Sequence, residues 1–134
     1  MSDPIRIRRF SFLVLAGCLM ATPAVAEEVW SSAVYERTNA LMAELARCES
    51  GGTANPDGAY LGRFQFATAT VINYVRERDG RTIGAAEARA IARDEARARD
   101  LARYVIFERN GHLNWPACSR KIGLPAKVAG IKRL

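Results

Sequence analysis

The stretch Cys48-Glu49-Ser50-Gly51-Gly52 marks the end of a long helix and decides how the first half of this chain is interpreted. Apolar residues recur at three- and four-residue spacing over residues 29–48, which predicts an amphipathic helix. The two glycines then end this helix, since glycine readily takes the left-handed conformation found at helix C-termini. Glu49 is therefore expected in the last turn, where the helix dipole disfavours a negative charge.

The N-terminus has the pattern of an export signal. Arg6, Arg8 and Arg9 precede an apolar run and a small-x-small cleavage site that ends at Ala26. This pattern predicts a signal peptide over residues 1–26, because the apolar run is shorter than the roughly 20 residues of a membrane span.

The sequence Leu15-Ala16-Gly17-Cys18 allows a second interpretation of the same segment. It resembles a bacterial lipobox, in which the cysteine becomes a lipidated N-terminus. Both interpretations predict an exported protein, periplasmic or extracellular. Only lipidation at Cys18 would attach it to a membrane.

The remaining 108 residues are enough for one small domain. Their 17 Lys and Arg exceed their 13 Asp and Glu, which suits a polyanionic wall or membrane surface. The basic run over residues 89–103 is more typical of a solvated helix surface with ion pairs. We expect a domain over residues 27–124, a loose basic tail over residues 125–134, a monomer, and no nucleic-acid partner.

Two cysteines, Cys48 and Cys118, lie outside the predicted signal. An even number of cysteines in a small exported domain predicts a disulfide, with two unpaired buried thiols as the alternative. The chain has one histidine, His112, and no clustered thiols. This set gives no credible zinc site, so neither a metal nor a cofactor is predicted.

The rest of the chain is predicted to be mainly α-helical, as a small domain with a cleft. A turn sequence predicts a loop over residues 53–62, or a short hairpin if residues 59–66 pair with the chain before them. Helices follow over residues 67–78, 82–92 and 94–110, the last with a buried apolar stripe. Ser31 or Ser32 is a suitable N-cap for the first helix. Thr82 is suitable for the helix over residues 82–92, and Asp94 for the helix over residues 94–110.

Glu49 is followed, one short loop later, by aromatic and amide side chains. An acid that protonates a leaving oxygen near neutral pH needs a raised pKa, which burial against apolar walls provides. Ser50 is placed to orient the carboxyl group, and Gln65 offers a donor and an acceptor to ligand amides. We expect the apolar walls to come from the disulfide and from Tyr60, Phe64 and Phe66.

The ordered motifs resemble the transglycosylase-like domain of resuscitation-promoting factors and, more broadly, lysozyme-like lytic transglycosylases and goose-type lysozymes. In chain order, the motifs are Cys-Glu-Ser-Gly-Gly, a short Asn/Pro/Gly loop, Gly-x-x-Gln-Phe, a helix and Trp-Pro-x-Cys, and they span about residues 45–118. The resemblance implies a lysozyme-like domain that cleaves the β-1,4 bond between N-acetylmuramic acid and N-acetylglucosamine in peptidoglycan, without a cofactor.

By this resemblance Glu49 is the catalytic acid, and the two cysteines match the family's disulfide. The expected substrate contacts are Ser50, Gly52, Tyr60, Gln65 and Phe66. The chain departs from the family at Arg63-Phe64, where Gly-Leu is usual, and this change affects the details of the sugar subsites.

A second carboxylate would distinguish a hydrolase from a lytic transglycosylase. In the latter, the 6-hydroxyl of muramic acid attacks, and one glutamate serves as acid and then as base. Asp57 is the only nearby candidate, and its Asn-Pro-Asp-Gly context predicts a turn. The sequence therefore favours the single-glutamate mechanism. The alternatives are a non-catalytic wall-binding or secretion-accessory module and a small interaction protein held together by its disulfide.

Overall fold

The computed structural model describes residues 24–53 and 58–134, with side chains from residue 32 onward. The described residues form α1 (Ala24–Ser50), α2 (Thr68–Asp79), α3 (Ala85–Arg93), α4 (Glu95–Phe107), α5 (Pro116–Ile122) and α6 (Leu124–Ile131), with strands β1 (Tyr60–Leu61) and β2 (Phe66–Ala67). The predicted mainly α class is confirmed. Cys18 and Asp57 lie outside the described residues, as does most of the predicted signal peptide.

Helix α1 forms one side of the hydrophobic core. It packs against α4, α5 and α6, while α2 packs against α3 and α4. The apolar stripe predicted for α4 is buried, which confirms that part of the sequence interpretation. This stripe consists of Ala98, Leu101, Ala102, Val105 and Ile106.

Two of the predicted helix starts are wrong. Helix α1 already begins at Ala24, so Ser31 and Ser32 lie inside it and do not cap it. Helix α3 begins after Gly84, not at Thr82, because the extended segment before it places Ile83 in the core with 5% of its surface exposed. The capping role predicted for Asp94 is confirmed: its side chain accepts a hydrogen bond from the Arg97 backbone N–H at 2.8 Å.

The chain after Leu124 is not the loose tail that we expected. It forms α6, whose Leu124, Val128 and Ile131 recur on one face and are buried in the core. Proline in the first turn is compatible with this helix, since the first N–H groups have no partner within the helix. The Lys127 Nζ lies 2.7 Å from both carboxylate oxygens of Glu44 and so ties α6 to α1.

The predicted loop ends in a hairpin that differs from the one expected. Strands β1 and β2 pair with each other in antiparallel fashion, with Tyr60 opposite Ala67 and Leu61 opposite Phe66. The hairpin therefore forms within residues 60–67, and no described residue before it pairs with either strand. Among the described helices, none has both the length and the apolar composition that a membrane span requires.

Candidate functional site

The C-terminal end of α1 presents Glu49 next to a sharp change in chain direction. Gly51 and Gly52 have positive φ angles of +64° and +85°, and the Gly51 N–H donates to the Arg47 carbonyl at 3.0 Å. A Cβ atom at either glycine would meet nothing within 4 Å. Backbone conformation therefore explains these glycines, and the space beside them is open.

Glu49 is half-buried in the last turn of α1. Burial removes water from around its carboxyl group and raises its pKa above the ordinary value. A carboxylic acid that keeps its proton to a higher pH is a better proton donor near neutrality. The raised pKa that the sequence predicted for Glu49 therefore has burial as its cause.

The end of α1 is fixed by a covalent link. The Cys48 and Cys118 sulfurs form a disulfide with an S–S distance of 2.04 Å and a Cα–Cα distance of 5.8 Å. This bond joins the residue before Glu49 to α5, 70 residues away along the chain. The predicted disulfide is thus present, and it holds the backbone at Glu49 against the C-terminal half of the domain.

Ser50 does not have the role expected of it. Its hydroxyl donates a hydrogen bond to the Ala46 carbonyl at 2.8 Å, one turn earlier in α1. This pattern is common for serine within a helix, because the short side chain reaches back to the carbonyl four residues before it. Ser50 therefore bonds to its own helix and does not orient the Glu49 carboxyl group.

The β1–β2 hairpin carries two of the predicted contact residues. Tyr60 is 58% exposed. Gln65 has a positive φ of 51°, and its side-chain Nε2 donates to the Gly62 carbonyl at 2.8 Å. This bond fixes the Gln65 amide at the turn, so its orientation is set before any ligand arrives.

Two aromatic residues expected in the cleft wall lie in the core. Phe64 and Phe66 are 1% and 2% exposed, with ring centroids 6.3 Å apart. The Trp115 ring packs edge-on against Phe66 at 5.3 Å, and its Nε1 donates to the Phe64 carbonyl at 2.6 Å. Phe66 therefore offers almost no ring surface to a ligand, unlike the substrate contact that we expected.

A groove of about 100 Å³ lies between α1, the hairpin turn and α4. Its lining includes Gly52 and a rim of charged side chains, and we call it the arginine groove. Its floor is apolar, with Met42, Ala46 and Phe64, and its charged rim consists of Arg47, Arg63, Glu95 and Arg99. Glu49 does not line this groove.

The charged rim was not predicted as a site. Arg63 was noted only as a departure from the family motif, while Arg47 and Arg99 lie on different helices, so their spacing along the chain gives no signal. Glu95 accepts from Arg99 at 2.7 Å and lies 3.4 Å from Arg63. The sequence does show an excess of arginine, but this excess does not indicate which arginines lie close together in the fold.

The groove shows which predicted residues share one region. Gly52 and Arg63 both line it, so the turn after α1 faces the turn of the hairpin that carries Tyr60 and Gln65. Within the described residues, no group of three or more His, Cys, Asp or Glu side chains is arranged to hold a metal ion.

Comparison with known proteins gives no match to a family model, a curated protein or a solved structure.

Proposed function

We propose that this protein cleaves peptidoglycan at the β-1,4 bond between N-acetylmuramic acid and N-acetylglucosamine, as a lytic transglycosylase with a lysozyme-like fold. The observation that carries the proposal is Glu49, a half-buried acid whose pKa is raised by burial and whose backbone is held by the adjacent disulfide. Burial shifts this acid towards its protonated form, which favours the proton donation that the first chemical step requires.

In the proposed reaction, Glu49 gives its proton to the glycosidic oxygen as the bond to the anomeric carbon breaks. The 6-hydroxyl of the same muramic acid then attacks the anomeric carbon, and the Glu49 carboxylate accepts the hydroxyl proton. The products are a 1,6-anhydro sugar and a free 4-hydroxyl on the leaving glycan, and Glu49 returns to its protonated state. One carboxyl group is enough for this sequence of steps.

Three of the predicted contact residues have proposed roles in binding the glycan. The open space beside Gly52 admits a sugar chain to the backbone, and the exposed ring of Tyr60 offers a surface for a sugar face. The fixed amide of Gln65 supplies a hydrogen-bonding group for N-acetyl or peptide amides. Ser50 and Phe66 have no part in this proposal.

A second function is a non-catalytic module that binds the cell wall or assists a secretion machine. The observation in its favour is that the arginine groove is lined by Gly52 and not by Glu49. In both cases we propose an exported protein whose partner is the peptidoglycan glycan strand.

The deciding experiment incubates the purified protein with peptidoglycan and analyses the products by mass spectrometry. A lytic transglycosylase gives 1,6-anhydro-muropeptides, a hydrolase gives reducing ends that incorporate oxygen from labelled water, and a binding module gives neither product. Glu49→Gln is expected to lower turnover by at least about 100-fold. Glu44→Gln is the matched control, because Glu44 lies on the same helix and pairs with Lys127 at the surface.

Unchanged turnover in Glu49→Gln would show that Glu49 is not the acid. Loss of turnover in both variants would indicate that the substitutions damage α1. Circular dichroism tests this, because damage to α1 lowers the helical signal and loss of the acid alone does not.

A further inference from the structure

The arginine groove has the chemistry of an anion site. Its rim has three guanidinium groups, and one carboxylate, Glu95, lies between two of them. Positive charge is therefore in excess at the rim. Arg47 makes no ion pair with any of the described residues, so its guanidinium is available to a ligand.

The floor of the groove strengthens any such interaction. Met42, Ala46 and Phe64 are all nearly or fully buried, with 0%, 8% and 1% exposed. A wall without water lowers the local dielectric constant, which increases the attraction between opposite charges. A planar guanidinium also matches a carboxylate with two parallel hydrogen bonds, so carboxylates suit this rim well.

The groove lies close to the proposed catalytic acid. Gly52 lines it and follows Glu49 by three residues, a distance of at most about 11 Å along the backbone. In peptidoglycan each muramic acid carries a short peptide that begins next to the sugar and contains acidic residues. A glycan held at Glu49 thus brings peptide carboxylates within reach of the groove.

We propose that the arginine groove binds a carboxylate of the peptide stem of peptidoglycan. This inference rests on the proposed function, and it makes the protein selective for glycan strands whose muramic acids still carry acidic peptides. Arg47 and Arg63 provide the binding groups. Glu95 already pairs with both Arg99 and Arg63, so Arg47 is the rim arginine that has no ion pair among the described residues.

The test measures binding of two soluble probes. One is a disaccharide-peptide fragment of peptidoglycan with free carboxylates, and the other is the same fragment with its carboxylates amidated. Isothermal titration calorimetry uses full-length Glu49→Gln protein, so that a probe is not consumed during the measurement. The Arg47→Gln/Arg63→Gln variant is made in this background and compared with it.

The matched control removes two arginines from other surfaces. Arg81 and Arg103 have half-exposed side chains, pair with acidic residues and do not line the groove. Arg81→Gln/Arg103→Gln therefore lowers the net charge equally and leaves the groove intact.

We expect the groove variant to bind the free-carboxylate probe at least about fivefold more weakly, a loss that added salt reduces. The amidated probe and the control variant are expected to show no such loss. Equal binding of both probes, or equal binding by the groove variant and its parent, would overturn the inference.

Failure of this inference is distinguishable from failure of the proposed function. If peptidoglycan is cleaved in a Glu49-dependent manner while the arginine substitutions leave binding unchanged, the groove inference is wrong and the enzymatic proposal stands. If no cleavage occurs and binding still depends on the arginines, the groove binds the wall peptide in a non-catalytic module.

Discussion

The indole Nε1 of Trp115 donates a hydrogen bond to the backbone carbonyl of Phe64, with 2.6 Å between the nitrogen and the oxygen. The two residues are 51 positions apart in the chain, and both are nearly fully buried. This bond joins the start of α5 to the hairpin turn that carries Arg63 and Gln65. The hairpin therefore takes its position from the C-terminal half of the domain.

Trp115→Phe should destabilise the protein by about 1–3 kcal/mol, because it leaves the Phe64 carbonyl without its donor in a dry environment. The free energy of unfolding is measured by urea denaturation. Tyr35→Phe is the control, since Tyr35 is 69% exposed and its hydroxyl is accessible to water. Equal stability of both variants would mean that the hydrogen bond contributes nothing measurable.

Removal of the disulfide should lower the free energy of unfolding by about 4 kcal/mol, the loop-entropy value for a closed ring of this size. The double variant Cys48→Ser/Cys118→Ser is compared with the oxidised protein, again by denaturation. A denaturation midpoint that is unchanged by substitution or by a reducing agent would contradict the prediction.

The stability of Glu49→Gln relative to the parent protein should depend on pH. Burial raises the pKa of Glu49, so the folded protein holds this proton more tightly than the unfolded chain does. The resulting stabilisation is fully present below about pH 4.5 and is lost as the pH rises through the folded-state pKa. The variant lacks this group, so it should gain stability relative to its parent between pH 4 and pH 7.5.

Because Glu49 is only half-buried, we expect this gain to be less than about 1 kcal/mol. The free energy of unfolding is measured at both pH values, with the exposed Glu36→Gln as the control. A loss of stability of Glu49→Gln relative to its parent over this pH range would show that folding favours the Glu49 carboxylate.

Two glycine substitutions should have opposite effects on stability. Gly62 has a φ of +69°, and a Cβ atom there would lie 1.8 Å from the Ala92 carbonyl oxygen. Gly62→Ala should therefore cost more than about 2 kcal/mol. Gly130 lies within α6 with nothing within 4 Å of an added Cβ, so Gly130→Ala should stabilise by about 0.5–1 kcal/mol. Thermal unfolding of both variants checks the pair.

The local part of the fold was predictable from sequence periodicity and capping chemistry. The buried stripe of α4 and its cap at Asp94 follow from interactions within a few residues along the chain. Helix α6 was missed although Leu124, Val128 and Ile131 have helical spacing. The proline, glycine and basic residues of this segment are typical of a loop and outweighed the helical spacing. The helix packs against α1, which a sequence pattern does not show.

The candidate site was predictable only in part. The position of Glu49 follows from the residues adjacent to it in the chain, and the disulfide follows from the two cysteines outside the predicted signal. The spacing of Phe64 and Phe66 predicts that both rings lie on one side of the chain, but it does not predict whether that side is buried. Their burial involves contacts with Trp115, which is distant in sequence. The meeting of Arg47, Arg63 and Arg99 depends likewise on how the hairpin and two helices pack.

The bond between Cys48 and Cys118 also has a topological consequence. A protease that cuts the backbone once at any point between these residues leaves two fragments that stay covalently joined. On a non-reducing gel the nicked molecule would migrate near the intact one, and only a thiol reagent would separate its pieces. The region between them, which includes the hairpin and α2 to α4, can therefore be nicked without either fragment being shed.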